Sequence, residues 1–200
     1  MKYKYAKPAA VKVTDACFKN ALELDVDNLL ILDSDRLLAG FRETAGLIAG
    51  MTDEECTRFM KNKKRYGGGW EDALIGGHTL GHYLTAVAQG VINPGLDHKD
   101  RDALEERLNE IVEALAECQK MTEGTGYEGY LFGAAIVERD NLDAQFDHVE
   151  AMETNIVTQA WVPWYTMHKI LAGLTDAYAI AGNRLALQVA DRLAVWISKR

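Results

Sequence analysis

Apolar residues recur every three or four positions through most of this 200-residue chain, and that spacing commits it to packed helices. Leu37, Leu38, Phe41, Ala45 and Ile48 form one such stripe, with Asp33 or Ser34 placed to cap its first turn. Leu80, Leu84, Val87 and Val91 form a second, stopped at Asn93-Pro94-Gly95. Leu104, Leu108, Ile111, Val112 and Leu115 predict a helix from about Asp97 to Lys120. Leu171, Leu174, Tyr178 and Ala181 predict another, closed by Gly182-Asn183. Leu185, Val189, Leu193, Trp196 and Ile197 carry a last one to the chain end, and a weaker pattern covers Ala16 to Leu32. Only Ala10 to Thr14 reads as a strand, and a short one. The three prolines leave these stretches uninterrupted.

The expected class is therefore all-α, with successive helices folded back as antiparallel hairpins. An α/α toroid, a helical bundle and an α-solenoid fit that pattern equally. Two hundred residues suit one domain with a sizeable core. The exception to the helical rule is a long Gly-rich segment, Thr122 to Asn155, with Gly124, Gly126, Gly129 and Gly133. Irregular segments of that length are usually functional or carry structure of their own.

Charge narrows the partners. A formal net charge of −8 argues against nucleic acid and against an anionic membrane surface. The one basic cluster, Lys61, Lys63, Lys64 and Arg65, follows acidic Asp53-Glu54-Glu55 and reads as a solvated loop. No apolar run reaches a membrane span, and the basic start has no apolar block behind it to make a secretory signal. Cys17, Cys56 and Cys118 form neither a CxxC nor a disulfide framework, which suits a reducing, cytoplasmic setting; each reads as a small buried apolar residue.

Two constellations carry the chemistry. Tyr66-Gly-Gly-Gly-Trp70-Glu71 leads into Gly76-Gly77-His78-Thr79-Leu80-Gly81-His82. Gly76-Gly77 opens a helix, so His78 falls in its first turn, where free N–H groups point outward. Gly81 inside that helix costs about 1 kcal/mol relative to Ala, which predicts close approach of a neighbour or ligand. His78 and His82 are four apart and share a face, but the HExxH glutamate is missing and no third metal ligand is evident. The second constellation is Trp161-Val-Pro163-Trp164-Tyr165-Thr-Met-His168-Lys169, with Pro163 at the start of a helix. Indole and phenol rings beside an imidazole offer a platform for the C–H face of a sugar and a partner for its hydroxyls. An aromatic core plug with a satisfied histidine would read the same way.

Glycoside hydrolysis usually requires a positioned carboxylate pair. The candidates are Glu71, Asp72, Glu128, Asp147 and Glu150, and none declares itself a pair. Asp33 and Asp35 look like helix-start charges. His98 and His148 stand in acidic surroundings and are expected to be exposed.

Six motifs then occur in order: Asp33-Ser-Asp-Arg-Leu-Leu-Ala-Gly-Phe-Arg42, Gly-Gly-Trp70-Glu71, Gly-Gly-His78-Thr-Leu-Gly-His82-Tyr-Leu84, Leu115-Ala-Glu-Cys-Gln119, Gly129-Tyr130-Leu-Phe-Gly133 and Trp161-Val-Pro-Trp-Tyr-Thr-Met-His-Lys169. Together they resemble the N-terminal part of glycoside hydrolase families 127 and 146, the β-L-arabinofuranosidases, over about Val11 to Trp196. The resemblance implies an (α/α)6 toroid, with residues 1–200 as its N-terminal half and β-sandwich domains beyond. It implies a retaining enzyme that releases L-arabinofuranose from plant glycans, with an L-arabinofuranose-containing oligosaccharide as partner. The family's cysteine nucleophile, its zinc and its acid/base glutamate lie later in the toroid, so this chain is expected to hold no catalytic residue, no metal ligand and no cofactor of its own, and to be inactive alone. Zinc is implied for the full-length enzyme. His168 matches a sugar-contacting histidine; Trp164, Trp161 and Tyr165 are expected beside it, with His78, Trp70 and Glu71 on the opposite wall. Half a ring would leave apolar inner faces open, which predicts self-association. A non-catalytic helical interaction module, or another toroid enzyme such as an epimerase or lyase, is the alternative.

Overall fold

Side-chain caps decide where the helices begin. In the computed structural model, which describes residues 8–200, Asp15 accepts hydrogen bonds from the Cys17 and Phe18 amides and starts α1 (Ala16–Ile31). Asp33 does the same for Asp35 and Arg36 at the head of α2 (Ser34–Ile48). Thr52 and Glu55 form a reciprocal capping box on α3 (Asp53–Phe59). Gly77, at φ +88°, turns the chain into α4 (His78–Val91). Asp97 caps α5 (His98–Met121), α6 (Ala144–Glu150) follows, Pro163 opens α7 (Pro163–Ala179), and Asn183 caps α8 (Arg184–Lys199).

The all-α expectation holds, and its long helices stand within a residue or two of where periodicity put them. Two helices are additional: α3 and α6 have seven residues each, too few for an apolar repeat to show. The strand expected at Ala10 to Thr14 does not form. Pro8–Ala10 is a single 3-10 turn, and among the described residues the only β pairing is an isolated bridge between Glu138 and Asn141. The basic start, residues 1–7, lies outside the described part.

α5 is the spine, with α2, α4 and α8 packed around it. α4 with α5, and α7 with α8, are hairpins joined by short turns. α1 and α2 depart from the hairpin expectation: separated by two residues, they lie mainly against other helices, α1 on α4 and α5, α2 on α5 and α3. Tyr83 donates to the Leu29 carbonyl at 2.6 Å and Arg107 to the Leu32 carbonyl at 2.7 Å, which ties down the elbow between them.

The two hairpins repeat side by side in the same direction. Along α4 and α7 the ring of His78 meets Tyr165, Gly81 meets Lys169, and Thr85 donates to Asp176 at 2.8 Å, so numbers rise together and the helices are parallel. Along α5 and α8, Asn109 meets Asn183 and Gln119 meets Val189, again in parallel. Among the described helices α4 and α7 pack most extensively, because glycines line their seam. A methyl group on Gly81 would lie 2.1 Å from the Lys169 carbonyl oxygen, and one on Gly173 would lie 2.4 Å from that of Gly81. Gly81 is thus explained by a neighbouring backbone.

The Gly-rich segment is not a surface loop throughout. Tyr130, Leu131, Phe132, Gly133 and Ala134 are buried and pass through the core, where Tyr130, Phe132, Phe146 and Trp196 form an aromatic cluster. Buried irregular backbone requires partners. Gln119 donates to the Gly129 carbonyl at 2.8 Å, Arg65 to that of Ala134 at 3.0 Å, and the Ala135 amide donates to Ala73 at 3.2 Å.

The basic cluster is not merely solvated. Lys61 and Lys63 pair with Asp35 and Asp33 at 2.9 and 2.7 Å, and Arg65, largely buried, pairs with Glu43 at 2.8 Å. The cysteines divide: Cys56 and Cys118 are buried, with burial pushing the Cys118 thiol up to about 12, whereas Cys17 is exposed. His98 is exposed as expected, but His148 is half-buried between Glu138 and Glu153. No described helix is long and apolar enough to cross a membrane.

Candidate functional site

Because α4 and α7 are parallel and nearly touching, their N-terminal turns lie next to each other, and both constellations meet there. His78 begins α4, and its ring lies 5.8 Å from Tyr165, 5.7 Å from Trp70 and 6.2 Å from His82. Trp70 is 65% exposed and Tyr165 40%, while His78 is 4% exposed. His168, also exposed, follows Tyr165 by one turn of α7, and the Lys169 ammonium sits 4.9 Å from the Tyr165 ring centroid.

Loop geometry places Trp70 and Glu71. The Glu71 carboxylate accepts from the Gly77 amide at 3.1 Å, which anchors the loop on the head of α4. Its second oxygen is buried without a hydrogen-bond partner, 3.7 Å from His78 Nδ1. His78 Nδ1 itself bonds the Ile75 carbonyl at 2.8 Å. Burial, then the nearby Lys169, His78 and His168 charges, hold the His82 imidazole below its ordinary value.

The residues divide unequally. Trp70, Glu71, His78 and Tyr165 come together on one face, so Tyr165 and His78 are neighbours on one wall and do not oppose each other. Trp164 turns the other way: its ring packs edge-on at 4.8 Å from Phe146, at the rim of the aromatic core, and remains 37% exposed. Trp161 is half-buried. Two of the larger hollows lie elsewhere, one of about 460 Å³ beside Arg42 and Glu113, one of about 310 Å³ beside Gln119 and Arg192. The other carboxylates serve local structure. Asp72 accepts from the Gly68 amide and Glu128 from that of Gly126, while Asp147 and Glu150, with Asp143, surround the Arg200 guanidinium.

Sequence reasoning missed Thr166 and the Ile75 carbonyl. Thr166 is fully buried and donates from its hydroxyl to Ile75 at 3.2 Å, the same oxygen that holds His78. A backbone carbonyl leaves no mark in a sequence, and a threonine between Tyr165 and Met167 reads as filler.

The chain matches the family model of the β-L-arabinofuranosidase, GH127 catalytic domain, over residues 10–200. The chain belongs to glycoside hydrolase family 127. The match covers both constellations and the core-threading segment, and it selects this family from among the helical alternatives. Among curated proteins no relative matches. As a family 127 chain it is of glycosidase kind, with carbohydrate as the class of substrate. Among the described residues no three His, Cys, Asp or Glu side chains stand close enough to hold a metal ion.

Proposed function

We propose that the chain forms the sugar-binding wall of a retaining β-L-arabinofuranosidase that releases L-arabinofuranose from plant glycans. In this reading residues 1–200 are the N-terminal half of an (α/α)6 toroid, and zinc, nucleophile and acid/base come from later sequence of the domain. The observation that carries it is the convergence of Trp70, His78 and Tyr165 at the paired helix starts, with His168 one turn along. Such a face suits a furanose: rings take up the C–H surface, and imidazoles exchange hydrogen bonds with hydroxyls. Two parallel hairpins are the unit that a toroid repeats. The three free cysteines accord with a cytoplasmic setting.

Kinetics of the complete catalytic domain on a chromogenic β-L-arabinofuranoside test the assignment. His168→Ala should lower kcat/KM about 10- to 100-fold, the loss of one or two hydrogen bonds to sugar hydroxyls. Trp70→Ala should raise KM with little change in Tm, since its ring is largely in solvent. Unaltered kinetics in both variants would remove this face from the substrate site.

Chains of 1–200 alone should self-associate, because Ile156, Val157, Trp164 and Tyr165 present apolar surface around the α7 start. Sedimentation velocity giving a strict monomer at high concentration would count against the half-ring reading.

A further inference from the structure

We infer that His78 is held as the Nδ1–H tautomer and offers Nε2 to its ligand as a hydrogen-bond acceptor, with Thr166 as the positioning residue that fixes this state. A carbonyl oxygen only accepts, so the 2.8 Å contact between His78 Nδ1 and the Ile75 oxygen requires the proton to reside on Nδ1. In the neutral ring Nε2 is then a bare lone pair. The unpaired Glu71 oxygen, 3.7 Å from Nδ1, adds negative charge on the same side and favours a proton there. Free histidine side chains favour the opposite tautomer, so the preference is imposed by the fold.

The Ile75 carbonyl is a well-chosen handle only if it cannot turn. The amide of the same peptide, Gly76 N–H, donates to the Ala73 carbonyl at 2.9 Å and holds one side of the plane. Thr166 holds the other. Its hydroxyl, fully buried in the first turn of α7, donates to the same oxygen from the opposite helix. One carbonyl thus receives two donors, one from each parallel helix, and the ring orientation on α4 is set by a residue on α7. Thr166 touches no ligand and acts through Ile75.

The consequence for selectivity rests on the sugar-wall reading above; the tautomer rests on geometry alone. A lone pair backed by a carboxylate welcomes an O–H donor and repels an anion. At this position the site takes a neutral sugar hydroxyl in preference to a uronate or a sugar phosphate, although Lys169, His82 and His168 stand on the same face.

Long-range proton–nitrogen correlation on ¹⁵N-histidine-labelled chain, recorded at pH 8, reads the tautomer directly. The expected pattern for His78 is a pyrrole-type Nδ1 and a pyridine-type Nε2. The reverse pattern would overturn the inference. Thr166→Val should shift both nitrogens toward the averaged values of exchanging tautomers, and Thr166→Ser should restore the native pattern. A Val variant with the native pattern would strip Thr166 of its role; should that variant fail to fold, the Ser variant must still match the native chain. Added L-arabinose should then move Nε2 and leave Nδ1 in place, with galacturonate giving no response. Equal response to the anion would overturn the selectivity, whereas a native tautomer with no response to any sugar would sink the sugar wall and leave the tautomer standing.

Discussion

Two glycine-rich stretches of this chain read alike in sequence and do opposite things in the fold. Gly67-Gly68-Gly69 lies on the surface, and a methyl group on Gly68 or Gly69 would meet nothing within 4 Å. Gly129 to Gly133 runs through the core, where a methyl on Gly129 would lie 2.3 Å from the Arg192 carbonyl oxygen and one on Gly133 would lie 2.5 Å from the Phe41 ring. In the second stretch glycine is there because the backbone must fit against a neighbouring backbone at Gly129 and against an aromatic ring at Gly133. In the first it leaves Trp70 free to sit out in solvent beside His78. A glycine run therefore marks either close packing or reach, and the flanking residues help to distinguish them: Tyr130, Leu131 and Phe132 are apolar and buried, whereas Lys63, Lys64 and Asp72 beside the other stretch are charged and exposed.

The sharpest way to break that contrast is Gly129→Ala. The residue sits at φ +88°, and the added methyl has no room against α8. The expected loss is about 3 kcal/mol, or a fall of about 6–12 °C in Tm for a chain of this size. Thermal melts with a change under 2 °C would show that the core stretch tolerates side chains after all.

Gln119→Leu comes next. Gln119 is buried and its amide donates to the Gly129 and Val189 carbonyls at 2.8 and 3.0 Å, which fastens the core stretch and α8 to α5. Removing the donor strands the buried Gly129 carbonyl, while the Val189 carbonyl keeps its place in the α8 hydrogen-bond ladder, for about 2 kcal/mol. Urea unfolding should report it as a lower midpoint with an unchanged slope.

A smaller effect separates the surface stretch by pH. Its approach, residues 61–65, is tied to α2 through Lys63 on Asp33 and Lys61 on Asp35. Burial pushes both carboxyls up, but the ammonium groups and neighbouring donors outweigh it and leave both below the ordinary 3.8. Their folded state binds fewer protons than the unfolded one, so the stability they contribute is present above about pH 4 and is lost as pH falls below it. Asp143 behaves in the opposite sense, because burial holds its carboxyl above 3.8. Asp33→Asn should flatten part of the acid decline, by under about 1 kcal/mol given its exposure, as measured by chemical denaturation between pH 6 and pH 3.

Gly69→Ala should have the least effect on stability, within about half a kcal/mol in either direction. Any loss should instead fall on sugar binding, through Trp70. A variant that melts well below the native chain would place this stretch inside the packed structure and erase the contrast.

Much of the fold was legible because helices advertise themselves. Asp33, Asp97 and Asn183 cap the helices they precede, and the stripes on α2, α5 and α8 point inward as their spacing required. Two turns are too short to repeat anything, so α3 and α6 escaped, although Thr52 with Glu55 was a visible start signal. At the site, proximity of Trp70, Glu71 and His78 followed from sequence adjacency and a helix start. That Tyr165 shares their wall while Trp164 leans on Phe146 did not, since one residue of rotation on α7 decides it and only the tertiary partner chooses. The loop basic cluster misled for a related reason: composition reports charge, and pairing depends on what the chain folds against.

The seam between α4 and α7 carries a consequence for how the rings above it are held. Peptide groups have no rotamers, so a contact made by Gly81 and Gly173 works as a rigid gauge with nothing in it to slip. Thermal jitter in side chains elsewhere, or drift in the surrounding sequence, leaves that gauge unchanged. The spacing of the two helix axes beneath His78 and Tyr165 is held by main-chain contact at two positions that have no room for a methyl group.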